Sequence, residues 1–271
     1  MKSTKFIAAS LLILASCGGN THKSTNVEEK EGIEQVKIEH DVQQQIDNLA
    51  SDYSDIERTT LIAAMQEGRF QLSEEEKQVK PEYLMSPKSA NDLVTPSQKY
   101  RSLAMLYADK ITAQAYGQPT EEYDAAIKKL LVEINDPAIQ KFVEKEDTDP
   151  ASHTNNVKEF YKLENESERI NFFWETSVAF LIEELYIISQ NTDNEEFARN
   201  LTDTDAVNLT NRMKIANQAI EKLKDCASEL NELWTDIQPI KNIDAQNVEQ
   251  LKEQLTDMNA ELEGIRNNLP M

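Results

Sequence analysis

The sequence predicts an all-α protein, and three observations lead to that fold class. Gly is scarce at 6 of 271 residues, whereas the helix formers Ala, Leu, Glu, Lys and Gln are abundant. Prolines fall where helices begin, directly after a residue that can cap a helix, as in Thr95-Pro96 and Asp136-Pro137. No segment longer than a few residues alternates as a strand would. We therefore expect a multi-helix bundle with a C-terminal antiparallel coiled-coil-like helical hairpin.

Hydrophobic residues spaced by three and four positions divide the chain into predicted helices. These cover residues 41–67, 87–93, 96–116, 120–134, 137–145, 154–163, 167–190, 194–200, 205–237 and 245–269. Residues 73–86 and 144–153 are predicted loops, because charged residues and prolines interrupt the pattern there.

The helix predicted over 167–190 is apolar on nearly every side. Three glutamates inside residues 170–188 argue against a membrane span, so this helix is expected at the centre of the bundle. Glu184 falls on the apolar side, where a carboxylate must find a partner or take up a proton. It is interpreted either as a structural ion pair, with Lys99 or Arg101 as candidate partners, or as part of a functional site.

The C-terminal third has the most regular hydrophobic spacing. Two segments, 205–237 and 245–269, each span about three heptads and are separated by a break around Pro239. This arrangement predicts an antiparallel helical hairpin over 201–271, beside a helical domain over 41–200. The apolar stripe of the hairpin is expected to pack on the same domain, with pairing to another chain as the alternative.

The N-terminus carries the features of a secretory signal over residues 1–16. Two lysines precede an apolar run of about nine residues, which is too short to span a bilayer. The motif Leu14-Ala15-Ser16-Cys17 resembles the lipobox of bacterial lipoproteins. The resemblance implies that the signal is removed and that Cys17 becomes the acylated N-terminus, which anchors the protein to a membrane. The alternative is an ordinary secretory signal followed by a cysteine without this role.

Residues 17–40 are rich in Gly, Asn, Thr, Ser, Lys and Glu and are predicted to form a flexible tether. Gly18 after the cysteine, rather than Asp, favours the outer membrane by the sorting rule known for lipoproteins of enteric bacteria. Some bacterial groups export lipoproteins to the cell surface when acidic residues directly follow the cysteine. Here the first acidic residues are Glu28 and Glu29, which favours the periplasmic face over the cell surface. Lipobox, tether and acidic helical composition together resemble the helical outer-membrane lipoproteins of Bacteroidetes-type bacteria. That class implies a role for Cys17 alone.

Composition excludes several function classes. The chain has 49 acidic against 28 basic residues, a formal charge of −21, which argues against nucleic acid or anionic lipid as a partner. The three histidines lack metal-ligand spacing, and no HExxH, GxSxG, P-loop or dinucleotide motif is present. We therefore expect no metal, cofactor or catalytic residue, and a protein that is not an enzyme. Cys226 is predicted to be a buried apolar residue on a helix.

Two functional hypotheses remain. The first is a non-enzymatic interaction or scaffold module of the cell envelope that docks a protein partner, through the 201–271 hairpin among other faces. The second is a small-ligand or glycan-binding lipoprotein with an aromatic-lined pocket between helices. Glu184, Trp174 and Tyr186 are its candidate binding residues, with Phe172 and Phe173 as further aromatic lining.

Overall fold

The computed structural model describes residues 38–78 and 81–270, and this part of the chain is all-α. Its α-helices, numbered in chain order, are α1 His40–Asp55, α2 Thr60–Gln66, α3 Pro96–Ala115, α4 Glu121–Ile134, α5 Pro137–Thr148, α6 His153–Glu166, α7 Ile170–Ser189, α8 Glu195–Asn200, α9 Asp203–Leu223, α10 Ser228–Asp236, α11 Val248–Asp257 and α12 Asn259–Asn268. Short 3₁₀ turns cover Glu76–Gln78, Pro87–Asn91, Pro150–Ser152 and Gln238–Ile240. The prediction of an all-α multi-helix bundle is confirmed.

Local sequence signals determine where several helices begin. Thr95 forms a capping box with Gln98 at the start of α3, and Thr202 forms one with Asp205 at the start of α9. Asp136 accepts a hydrogen bond from the Ala138 amide at the start of α5. These side chains satisfy amides that lack a partner within the first helical turn. The predicted boundaries are correct to within two or three residues at these ends.

Helix α7 is the centre of the bundle. It contacts α3, α6, α9, α10, α11 and α12, and 18 of its 20 residues are buried. A helix that is apolar on nearly every side can bury its whole surface only when neighbours surround it. None of the described helices combines the length and apolar character needed to cross a bilayer.

Three predicted long helices are broken in the structure. The segment 41–67 forms α1 and α2, separated by residues 56–59. The break is stabilised because Arg212 donates hydrogen bonds to the backbone carbonyls of Ile56 and Glu57, at 3.4 and 2.7 Å, and Thr59 caps α2. Tertiary contacts thus offset the intrahelical hydrogen bonds that the break removes.

The C-terminal segment also differs from the predicted pair of long helices. Residues 205–237 form α9 and α10, with a turn at 224–227, and 245–269 form α11 and α12, which meet at Met258. Helix α11 packs against α7 and α9, and α12 packs against α7. The hydrophobic stripe therefore closes onto the central helix within this chain. Cys226 lies in the turn and is partly exposed, so its predicted place on a buried helical face is wrong.

The signal peptide predicted over 1–16, Cys17 and nearly all of the tether predicted over 17–40 lie outside the described residues.

Candidate functional site

The buried glutamates of α7 are each paired with an arginine from another helix. Glu175 accepts from Arg101 at 2.9 Å, and Arg266 binds both oxygens of Glu183 at 2.9 and 2.8 Å. The sequence suggested Arg101 as a partner for Glu184, but in the structure Arg101 forms its ion pair with Glu175. The other candidate, Lys99, lies 3.1 Å from Glu133.

Glu184 is buried, and its carboxylate accepts a hydrogen bond from the Thr59 hydroxyl. One guanidinium nitrogen of Arg212 lies 3.5 Å from the other carboxyl oxygen. Burial raises the pKa of Glu184, whereas Arg212 acts in the opposite direction. Glu184 is thus an ion-pair residue that helps position Arg212 and the break between α1 and α2.

The aromatic candidates do not form one pocket. Trp174 is 0% exposed and makes edge-to-face contacts with Tyr53 and Phe173. The Tyr186 ring is covered by the guanidinium of Arg266, 4.6 Å from its centroid, and Phe172 is buried elsewhere in the core. Of these aromatic residues of α7, Phe173 is the one that reaches the wall of the cavity described next.

A cavity of about 60 Å³ lies beside α7, between α1, α3, α5, α6 and α9. Ser177 and Phe180 are the two residues of α7 that are not buried, and both line this cavity. The cavity therefore opens where the other helices leave the central helix uncovered.

The floor and walls of the cavity are mostly apolar. Phe142 of α5 stacks on Phe160 of α6 with ring centroids 4.9 Å apart, and Phe160 lies 5.6 Å from Phe173. The apolar wall comprises Tyr53, Ile56, Leu103, Ala104, Tyr107, Ile139, Phe142, Val143, Val157, Phe160, Phe173 and Phe180. Such a wall can hold the apolar part of a small molecule.

Charged side chains gather at one side of the same cavity. Arg58, from the break between α1 and α2, binds the carboxylate of Glu146 on α5 and lies 2.7 Å from Nδ1 of His153. Glu146 also accepts a hydrogen bond from Asn156 at 2.8 Å and lies 3.1 Å from the same His153 nitrogen. Arg212 completes the set. Burial, reinforced by the two guanidinium groups, keeps the pKa of His153 well below its usual range.

Three residues that line the cavity each have one buried polar atom without a hydrogen-bond partner. These atoms are Nε of Arg58, Nε of Arg212 and the Thr176 hydroxyl oxygen. Buried polar groups in folded proteins almost always have a partner, because an unsatisfied donor costs about 1–3 kcal/mol. All three groups can donate a hydrogen bond. The cavity therefore has a mostly apolar wall, and three of its lining residues carry a buried donor without a partner.

No family model matches the chain, and no curated protein or solved structure is significantly similar to it. Within residues 38–78 and 81–270, no group of three or more His, Cys, Asp or Glu side chains is placed to hold a metal ion.

The polar residues of the cavity are ones that the sequence did not single out as a site. Arg58 lies inside a segment predicted as continuous helix. Glu146 and His153 both lie in the loop predicted over 144–153, where the structure instead has the end of α5 and the start of α6. The adjacent Thr59-Thr60 is a signal for the break, because threonine often caps a helix. No local signal links Arg58 to His153, since 95 positions separate them.

Proposed function

We propose that this protein is a lipid-anchored component of the cell envelope that binds a small ligand in the cavity beside α7 and does not catalyse a reaction. The observation that carries the binding proposal is the uncovered part of α7. Ser177 and Phe180 line an apolar cavity there, and Thr176, whose buried hydroxyl has no hydrogen-bond partner, also contributes to the lining. Apolar walls with a few convergent polar groups are typical of small-molecule sites.

The scaffold hypothesis has less support from the surface. The hydrophobic residues that suggested docking through 201–271 are buried, including Leu251, Leu255 and Leu262 at 0% exposure. Among the described residues, the large hydrophobic residues that are exposed are Val94, at 80% in the loop before α3, and Val132, at 69% on α4. The part of the chain that the structure describes thus offers no extended apolar face of the kind that marks a protein-docking surface.

Support for the anchor comes from the sequence. The order of positive residues, apolar run and Leu14-Ala15-Ser16-Cys17 matches a lipoprotein signal. We place the protein at the outer membrane, on its periplasmic face, with the acyl chains on Cys17 as its membrane contact.

Replacing Cys17 by Ser is expected to abolish incorporation of labelled fatty acid and to move the protein from the membrane fraction to the soluble fraction. The reason is that stable anchoring needs acyl chains on the cysteine thiol. Cys226→Ser is the matched control and should leave both readouts unchanged. Fatty-acid labelling that persists in Cys17→Ser would contradict the anchor.

Blocking the cavity mouth is expected to abolish ligand binding. The purified protein is screened by thermal shift against short carboxylates, amides, alcohols, sugars and peptides, and hits are repeated on Ser177→Phe. A ligand at 100 times its Kd stabilises the protein by about 2.7 kcal/mol, or about 5–11 °C in Tm for a domain of this size. The shift should disappear in Ser177→Phe, because the added ring occupies the mouth.

Ser89→Phe is the matched control, since Ser89 is also partly exposed but does not line the cavity. It should retain the full ligand-induced shift. The binding proposal fails when no compound raises the Tm, or when every active compound stabilises Ser177→Phe as strongly as the unmodified protein.

A further inference from the structure

The charges around the cavity cancel within the protein. The guanidinium of Arg58 binds the carboxylate of Glu146, and that of Arg212 lies 3.5 Å from a carboxyl oxygen of Glu184. Burial keeps the pKa of His153 well below its usual range, so its imidazole is neutral near pH 7. Each positive group thus already has a negative partner, and no counter-charge is left for a charged ligand. An ion that entered the cavity would lose its hydration without compensation.

The polar atoms around the cavity are bonded within the protein or covered by it. The Tyr53 hydroxyl donates a hydrogen bond to the Ser177 backbone carbonyl at 3.4 Å, and the Tyr107 hydroxyl donates one to Asp147 at 3.0 Å. The three donors without a partner are buried and present almost no surface to the cavity. The surface that a ligand meets is therefore mostly carbon, with the partly exposed Ser177 at the mouth.

The size of the cavity limits the ligand to a few atoms. A water molecule needs about 10–15 Å³ of such space, so a cavity of about 60 Å³ holds roughly four groups of that size. A methyl or methylene group is of similar size. An unbranched chain of about three or four carbon atoms therefore fills the space beside Phe142, Phe160 and Phe180.

We propose that the cavity binds a neutral aliphatic molecule of about three or four carbon atoms, such as a short alcohol with its hydroxyl at the mouth beside Ser177. This inference rests on the proposed ligand-binding function and adds the size and the chemical class of the ligand. Removal of the carbon chain from water drives binding, and charged molecules of the same length are excluded.

Compounds of equal length and different charge test the exclusion of ions. The full protein, labelled with ¹³C in its methyl groups, is titrated with 1-propanol, propionate and propylammonium and followed by NMR. The methyl signals of Ile139 and Val143, which line the cavity, are expected to shift saturably with 1-propanol, whereas those of the buried Leu251, outside the cavity, should not move. Both ions should bind at least tenfold more weakly than 1-propanol, because each brings an uncompensated charge.

A homologous series of alcohols tests the size limit. Affinity is expected to rise about fourfold per carbon atom, the equivalent of about 0.8 kcal/mol, from methanol to 1-propanol or 1-butanol. It should then fall for 1-hexanol and 1-octanol, because a longer chain must remain in solvent or displace the wall.

Phe180→Leu tests whether the cavity itself sets this limit. The best alcohol should become longer by about two carbon atoms, because the smaller side chain enlarges the cavity. Leu131→Ala is the matched control, since it removes as many carbon atoms from a partly buried side chain on α4 that does not line the cavity. It should leave the best length unchanged.

Three results overturn the assignment of a small neutral ligand. The first is propionate or propylammonium that binds as tightly as 1-propanol. The second is an affinity that keeps rising to 1-octanol, and the third is a best length that stays the same in Phe180→Leu. Each leaves the proposed function in place when Ser177→Phe abolishes binding of the active compound. If neither these compounds nor any in the thermal-shift screen binds, both the neutral-ligand assignment and the binding function are wrong.

Discussion

Replacing Arg266 by Met is expected to destabilise the protein by about 3–5 kcal/mol at pH 7 and to lower its Tm by roughly 6–20 °C. Arg266 binds both oxygens of Glu183, lies 3.5 Å from a carboxyl oxygen of Asp109, and covers the Tyr186 ring. Both acids are 0% exposed. Without the guanidinium, two buried carboxyl groups remain without a counter-charge, and each must take up a proton or stay ionised at high cost.

Measurement is by urea unfolding of the variant and the unmodified protein at pH 7 and pH 5. The loss should be smaller at pH 5, because protonating the two buried carboxyls costs less free energy as the pH approaches the ordinary pKa that these groups have in the unfolded chain. Burial raises the pKa of both acids already in the intact protein. The neighbouring Glu183 raises the pKa of Asp109 further, whereas Asp109 acts to lower the pKa of Glu183.

Lys214→Met is the matched control for this prediction. It breaks an exposed pair, Lys214 with Asp244 at 2.8 Å, and should cost less than about 1 kcal/mol. The double variant Arg266→Met/Glu183→Leu should recover part of the loss, since it removes one of the two buried carboxyl groups that have lost their counter-charge. If Arg266→Met lowers the free energy of unfolding no more than Lys214→Met does, the buried ion pair does not stabilise the fold.

The second large effect is a fall in stability with rising pH that depends on Glu164. Burial raises the pKa of Glu164 to about 8, from an ordinary value of 4.5. Both of its carboxyl oxygens lack a hydrogen-bond partner. The nearest cation, Arg169 at 3.5 Å, is hydrogen-bonded to Asp136 and Tyr100, so it compensates Glu164 poorly.

The direction of the effect follows from proton uptake. Between pH 4.5 and about 8 the folded protein holds a proton on Glu164 that the unfolded chain has lost. The contribution of Glu164 to the free energy of unfolding is therefore complete below pH 4.5. It is lost as the pH rises to about 8, at about 1.4 kcal/mol per pH unit. Between pH 5 and pH 8 this one residue should remove about 4 kcal/mol from the free energy of unfolding.

Glu164→Gln is expected to remove that part of the pH dependence, because the amide stays neutral throughout. At pH 8 it should be more stable than the unmodified protein, while near pH 5 the two should be similar. Glu166→Gln, an exposed residue at the end of the same helix, should leave the profile unchanged. Parallel stability–pH curves for Glu164→Gln and the unmodified protein would show that Glu164 is ionised in the folded state.

Much of the helical architecture could be predicted because its causes are local. Thr95 and Asp136 cap helices through amides two or three residues away, and the apolar character of 170–188 placed α7 at the centre. The break between α1 and α2 was missed because it depends on a distant side chain. Arg212 binds the carbonyls of the first break from a position more than 150 residues later.

The cavity beside α7 likewise depends on contacts between distant residues, which the sequence does not reveal. The sequence indicated a helix with buried acids and aromatic residues, but not which of these residues face a cavity. Of the aromatic residues named from sequence, Phe173 reaches the cavity, whereas Trp174 lies one position further on and faces the core. Consecutive helical positions point about 100° apart, so which one meets a gap depends on how the neighbouring helices pack.

The sequence by itself determined the all-α class, the central position of α7 and the capped helix starts, because hydrophobic periodicity and capping act over a few residues. It also supplies the lipobox motif on which the proposed anchor rests. Tertiary structure alone decided that Glu184 meets Arg212, that Arg58 meets Glu146 and His153, and that a cavity remains beside Ser177 and Phe180. These contacts join residues 28 to 95 positions apart, and the balance of packing across the whole bundle determines which of them form.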